Sequence, residues 1–366
     1  MAKDKKDITK VLFLVPYPSE GASNRIRVEQ YIPYLESKGV ACKVRPFMNR
    51  PFYKILYLPH RYLEKIFWFF ICTVNRLFDL FRSASYDVIV VHREAYPFGE
   101  AFMEYMLHKL GKPIIFDFDD AIFLPNTSEN NIYIDRFKKP GKIPKIIKMS
   151  SVVIAGNSDL AGYALRHNTR VVVIPSVIDT DIYVPVVHES GKKKIVIGWV
   201  GSNTTKRFLY DIKSALKELS SKYPDLQMEI VGADTYGLGL ANVVNTPWSV
   251  KSEIEALKRF DIGIMPMPDN EWTRGKCGFK AILYMASGLP VVCSAVGANK
   301  EIVENGVTGF WATGIGEWTD KLSSLIEDRD LRERLGAAGR ARAERYYSLN
   351  VCAPRFLKAI NGRSDA

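Results

Sequence analysis

Between residues 271 and 280 the chain gathers Glu271 and three cations, Arg274, Lys276 and Lys280, on a loop that also holds Gly275 and Gly278. A helix is expected from Phe279 to about Ser287. Gly288 suits its C-terminal cap, and Pro290 forbids continuation before a β-branched strand, Pro290–Val296. The N–H groups that open a helix have no partner within it and lie at the positive end of its dipole. A loop that brings three cations to such a point suits an anion, most naturally phosphate. A basic surface loop ahead of an ordinary helix would carry the same residues.

Other groups able to do chemistry stand where strands are expected to end. Val11–Tyr17 runs into Gly21-Ala22-Ser23, where small residues let a ligand approach the backbone. Ser23 is a plausible N-cap for a helix to Lys38 that carries Arg25 and Arg27 on its first turn. Asp87–Val91 ends at His92, the one histidine of five at such a position. Pro113–Phe116 ends in Asp117-Phe118-Asp119-Asp120. These acids could hold a metal, position an acceptor hydroxyl, cap a helix or form salt bridges. Further on, Ile195–Val200 leads to Gly201 and Ser202, then Lys206 and Arg207 ahead of a helix, and Trp248 follows Val243–Thr246.

The elements that must position these groups alternate strand and helix through both halves. The expected fold class is therefore α/β, with two doubly wound, Rossmann-like domains. At 366 residues, 47% of them hydrophobic and 25% charged, the chain has room for two cores. The formal net charge of +11 points to an anionic partner. No nucleic-acid-binding motif accompanies it, so nucleic acid is not expected. Five scattered cysteines, a polar N-terminus and the lack of a stretch of about 18 apolar residues fit a cytoplasmic chain.

One segment breaks the pattern. Residues 52–82 centre on an aromatic run, Ile66–Val74, flanked by Arg61, Lys65, Arg76 and Arg82. They read either as an interfacial helix or as a buried helix of the first domain. With the basic run 136–148 they suggest a face for an anionic membrane surface.

The stretch 278–310, with Tyr284, Met285, Ala286, Gly288, Pro290, Val291 and Val292 in its tail, resembles the donor-binding segment of retaining glycosyltransferases of family 4 (glycosyl transferases group 1). That resemblance implies the GT-B fold, two domains facing a cleft with the last helix crossing back to the first. The domains would be 1–184, 185–345 and a C-terminal helix, 346–366, with a linker near 185–194. It implies transfer from a nucleotide-sugar donor with retention, to a glycan or lipid-linked acceptor, in bacterial surface polysaccharide assembly on the inner face of the membrane. No cofactor and no metal are implied. Donor contacts would come from Gly21, Ala22, Ser23, Gly201, Ser202, Trp248, Glu271, Arg274, Gly275 and Lys280. Lys206, Arg207, Arg274, Lys276 and Lys280 would stabilise the departing diphosphate; His92, by its place at a strand end, would contact donor or acceptor as a catalytic candidate; and Arg25, Arg27, Asp119 and Asp120 would meet the acceptor.

The family's two motif carboxylates fall on Gly275 and Leu283 here. A deoxyribose donor such as a dTDP-sugar, a substitute contact from Glu271, or a catalytically weak partner subunit would each account for Leu283. A sugar-nucleotide epimerase and a non-catalytic membrane-surface module are the alternative readings.

Overall fold

The computed structural model describes residues 9–56, 58–125, 139–185, 194–235, 237–240 and 242–362. The expected linker lies largely outside them. The chain forms two compact units, Met1–Ser176 with Cys352–Ala366, and Val177–Val351. Ile178 pairs with Ser348, and the Leu349 N–H donates to the Ile178 carbonyl, which ties both ends of the second unit together.

The first unit holds a six-stranded parallel sheet: β1 (Thr9–Val15), β2 (Val40–Pro46), β3 (Val88–His92), β4 (Ile114–Phe118), β5 (Val152–Ala155) and β6 (Val171–Val173), in the order β2-β1-β3-β4-β5-β6. Its central strands are buried apolar runs such as Val11–Val15 and Ile89–Val91, as expected when helices cover both faces. The order reverses between β1 and β3, and the crevice beyond the carboxyl ends at such a reversal is where these sheets hold ligands.

The helix expected over 23–38 is broken. It appears as Ala22–Arg27, a short turn at Glu29–Tyr31 and Ile32–Ser37. Pro33 has no N–H to continue a helix and sits instead in the first turn of the last piece. Gly21, not Ser23, is the N-cap residue; the helix Ser158–Leu165, for which the sequence suggests Ser158 as N-cap, is instead capped by Asn157, which accepts from Leu160 N–H at 2.8 Å. Residues 52–82 divide into Arg50–Ile55 and a 21-residue helix, Tyr62–Arg82.

The second unit repeats the plan with β7 (Val196–Val200), β8 (Gln227–Val231), β9 (Val243–Thr246), β10 (Ile262–Met265), β11 (Val291–Ser294) and β12 (Gly309–Ala312). These are all parallel, in the order β12-β11-β10-β7-β8-β9. Here the reversal falls between β7 and β10. The helix Phe279–Ala286 buries every residue from Ala281 to Ala286. Tyr284 lies against the glycine face of β10, where a Cβ on Gly263 would fall 2.3 Å from its ring, and its hydroxyl accepts from Val200 N–H at 2.9 Å. Gly288 turns the chain at φ +71°, and Gly336 of the helix Arg329–Tyr346 packs so closely on its carbonyl that a Cβ would sit at 2.1 Å. The motif tail therefore builds the core that carries the cationic loop.

The last helix, Leu349–Ile360, crosses back to the first unit. Phe356 stacks on Phe13 and Tyr31, with centroids 6.5 and 4.5 Å away. Phe356→Ala should cost about 3–5 kcal/mol. A urea midpoint within error of wild type would show that this stack does not hold the returning helix.

Candidate functional site

In the first unit, Ser23 follows β1 and His92 ends β3, so the two face each other across the sheet's reversal. His92 Nε2 lies 2.6 Å from Ser23 Oγ, and Nδ1 lies 2.6 Å from Asp117 Oδ2. Ser23 Oγ is also 3.1 Å from Asp119 Oδ2. His92 and Asp117 are fully buried, while Ser23 is partly exposed.

Asp117 also pairs with Arg27, whose other guanidinium nitrogen donates to the Ile174 carbonyl at 2.7 Å. Burial works against the charge on Asp117, but Arg27 and the bond from His92 outweigh it and hold the carboxyl below its ordinary range. Asp119 is lowered as well. Burial opposes its charge, and Arg93 and then His92 overcome that. Arg93 donates to Asp119 and Asp120 at 2.7 Å each. It does so from a left-handed backbone, φ +62°, an uncommon conformation for a non-glycine residue.

This changes the expected roles. Arg27 is buried and committed to Asp117, so it is not a surface contact for an acceptor. Asp119 and Asp120 are both clamped by Arg93. Arg25 is partly buried on the last turn of its helix, not the first. A Cβ on Gly21 would fall 2.6 Å from that of Tyr17, so its small size serves the turn's own packing, while Ala22 is exposed. Asp117 and Arg93 were missed. Asp117 stood in the acidic run, but only the pairing of β3 with β4 sets it opposite His92.

In the second unit the carboxyl ends of β7, β8 and β10 converge. A Cβ on Gly201 would fall 2.2 Å from the Trp199 ring and 2.9 Å from Lys280 Nζ; one on Gly232 (φ +88°) would fall 2.2 Å from the Gly201 carbonyl and 3.1 Å from Trp248 Cβ. Lys280 Nζ stands 4.2 Å from the centroid of the Trp199 ring and 3.4 Å from Thr205 Oγ1. Among the described residues no carboxylate lies within ion-pair distance of it. Burial, reinforced by Lys276, lowers its ammonium to about 7. Trp248, half-exposed, is held by Glu253 at 2.8 Å.

The remaining cations are engaged differently. Lys206 pairs with Asp234 at 2.8 Å and Arg274 with Asp269 at 2.6 Å. Lys276 stands over Trp272 at 3.7 Å, and the exposed Arg207 lies over Phe208 at 5.3 Å. The loop itself folds into a short helix, Glu271–Arg274, capped by Asn270, and Gly275 follows it. Glu271 and Ser202 are exposed. Leu283 is buried in the apolar core.

Beside the first site, Tyr62–Arg82 is amphipathic in an inverted sense. Arg76 and Asp79 are buried, while Leu63, Ile66, Phe67, Phe70, Leu77, Phe78 and Phe81 are exposed, Leu63 at 84% and Phe81 at 75%. Asp79 accepts from Arg45 at 2.8 Å, and Arg76 donates to the Val15 carbonyl at 3.0 Å. No helix among the described residues is long and apolar enough to cross a membrane. The basic run 136–148 begins outside the described residues. Its visible part is not a bare cationic face, because Lys139 and Lys145 share Glu100 and Lys142 is buried on Glu94.

A family described as "Glycosyl transferases group 1" matches residues 194–328. Spore coat protein SA of Bacillus subtilis is 26% identical over 184 residues, covering 45% of this chain and 48% of the relative. D-inositol 3-phosphate glycosyltransferase of Paenarthrobacter aurescens is 28% identical over 145 residues, covering 35% and 34%. The chain thus spans about half or less of these curated relatives. The crystal structure of Anabaena Alr3699/HepE with UDP and glucose superposes with a TM-score of 0.65 at 15% identity, over 96% of this chain and 99% of that one. The shared fold is GT-B.

Lys280 gives a stability test. Unfolded, it titrates near 10.5; folded, near 7. The folded state binds fewer protons between those values, so this site's cost is full below pH 7 and is relieved as pH rises toward 10.5. Lys280→Met should raise Tm by about 2–4 °C at pH 7, and the gain should shrink by pH 9.5. A gain that does not vary with pH would show that the ammonium is not depressed.

Proposed function

We propose that this chain, which matches the glycosyl transferases group 1 over residues 194–328, moves a sugar from a nucleotide-diphosphate donor held by its second unit. The observation that carries this reading is the convergence of Gly201 and Gly232, at the ends of parallel strands, with Lys280, which meets no carboxylate among the described residues. A partly buried amine against an indole costs stability, and a diphosphate that approaches the backbone at both glycines would offset that cost. Lys276 adds a second positive charge beside it. The side chains then stabilise the charge that develops on the departing diphosphate, with no metal in the proposal. Transfer with retention follows from the family resemblance of the 278–310 segment.

The acceptor we propose is a lipid-linked glycan, and the supporting observation is the helix Tyr62–Arg82. Its exposed face is a row of large apolar side chains about 30 Å long, which suits a helix lying in a membrane interface. With Arg76 and Asp79 buried, Arg61, Lys65 and Arg82 against Glu64 remain outside the buried face and favour an anionic lipid surface as its occupant. The protein would then work as a peripheral enzyme on the inner face of the cell membrane, in surface polysaccharide assembly. A non-catalytic membrane-surface partner is the second reading, favoured by Leu283.

Two experiments bear on this. A thermal-shift screen against UDP, GDP, ADP, dTDP and CMP should give a clear rise with at least one nucleoside diphosphate and none in Lys280→Met. Silence across the panel would favour the non-catalytic reading. Leu283 offers a ribose no polar partner, so dTDP should shift the protein at least as far as UDP or GDP; if dTDP ranks last, the deoxyribose assignment is wrong. Separately, co-sedimentation with phosphatidylglycerol vesicles should exceed that with phosphatidylcholine. It should fall at least about tenfold when Phe67, Phe70 and Phe78 are changed together to Ser. Equal sedimentation of variant and parent would remove the helix from the proposal.

A further inference from the structure

The first unit contains an ordered chain of groups that the donor site does not use. It runs from Arg27 to Asp117 to His92 to Ser23 and opens to solvent only at the serine. We infer that Asp117 is the positioning residue of a proton relay, Asp117–His92–Ser23, whose outer hydroxyl meets a hydroxyl of a sugar or polyol ligand in the β1/β3 crevice.

The argument begins at the buried end. Asp117 is ionised, and an ionised carboxylate only accepts. The 2.6 Å contact with His92 therefore requires the hydrogen on Nδ1. That leaves Nε2 as the end of the ring that gains and loses a proton, and its neighbour at 2.6 Å is Ser23 Oγ. With Nε2 bare, Ser23 donates to it. Its oxygen and Asp119 Oδ2, 3.1 Å apart, then form a pair of acceptors that a ligand hydroxyl can serve. With Nε2 protonated, the ring donates to Ser23 and Ser23 to Asp119. The two states differ by one proton passed through the serine, and no heavy atom need move.

The charged groups facing His92 come from four elements: Asp117 from β4, Asp119 from the loop after it, Arg27 behind Asp117, and Arg93 from the end of β3, which also fixes Asp120. Arg93 reaches both acids from its left-handed backbone, so the outer carboxylates are held while the serine is left to turn. The arrangement sits at the reversal of the first sheet, where α/β folds bind ligands.

The identity of the ligand as an acceptor rests on the transfer reading, but the tautomer belongs to the free protein and can be measured without donor. Long-range 1H–15N spectra of the protein labelled at histidine should show the hydrogen of the neutral His92 ring on Nδ1, facing Asp117. Ser23→Ala should move the Nε2 resonance and Ser23→Thr should restore it. A neutral ring protonated at Nε2, or an Nε2 resonance indifferent to Ser23→Ala, overturns the relay.

Asp117→Asn leaves Arg27 uncompensated and is expected to unfold more readily, so the serine variants carry the decision. With the nucleotide sugar of whichever base gives the largest thermal shift, Ser23→Ala should lose about ten- to a hundredfold in turnover and Ser23→Thr should recover most of it. Full turnover in Ser23→Ala, or no recovery in Ser23→Thr, contradicts the inference. If no nucleotide sugar binds, the transfer reading fails while the spectra still decide the relay.

Discussion

A parallel sheet must return each strand through a right-handed crossover, so every strand delivers its carboxyl end to the same edge. Where the order of strands reverses, neighbouring crossovers diverge to opposite faces and leave that edge uncovered. Both units obey this constraint, and both candidate sites sit at the reversal it creates: Ser23 and His92 between β1 and β3, Gly201 and the 271–280 loop between β7 and β10. The core exists to hold these edges still. Tyr284 bonded to Val200 N–H, and Gly336 seated on the Gly288 carbonyl, fix the helix that presents Lys280.

The two sites handle buried charge in opposite ways. The first balances it, with Arg27 against Asp117 and Arg93 against Asp119 and Asp120. Such a network is satisfied without a ligand, and its function lies in the orientation it imposes on His92 and Ser23. The second sets Lys280 against an indole, with no carboxylate among the described residues within ion-pair distance, which fits the proposed anionic donor. The inverted helix Tyr62–Arg82 follows a related logic. Arg76 and Asp79 dock it on the first unit, which frees its aromatic face.

Much of this was legible before any coordinates. The alternation of buried β-branched runs with helical stripes gave two doubly wound domains, because period and strand length reflect burial on two faces. Gly288 as a helix stop and the cationic loop at 274–280 were also legible, because helix capping is local. The break at Pro33, by contrast, was not marked as a boundary, although the missing N–H is a local fact. The misassigned caps at Ser23 and Ser158 turn on which hydroxyl or amide wins a bond, and for Ser23 the competitor is 69 residues away.

The sequence by itself determined the class of fold, since this depends on composition and near-neighbour pattern. The tertiary structure decided which charges are available. Arg27, Lys142 and the acids at 117–120 look alike on paper as solvated or functional charges, yet each is cancelled by a partner brought from another strand or loop. Lys280 looks like any of its neighbours, yet packing sets it against the Trp199 ring and Thr205, with no carboxylate among the described residues within ion-pair distance. A charge acts through its surroundings, and those surroundings come from residues far away in the chain.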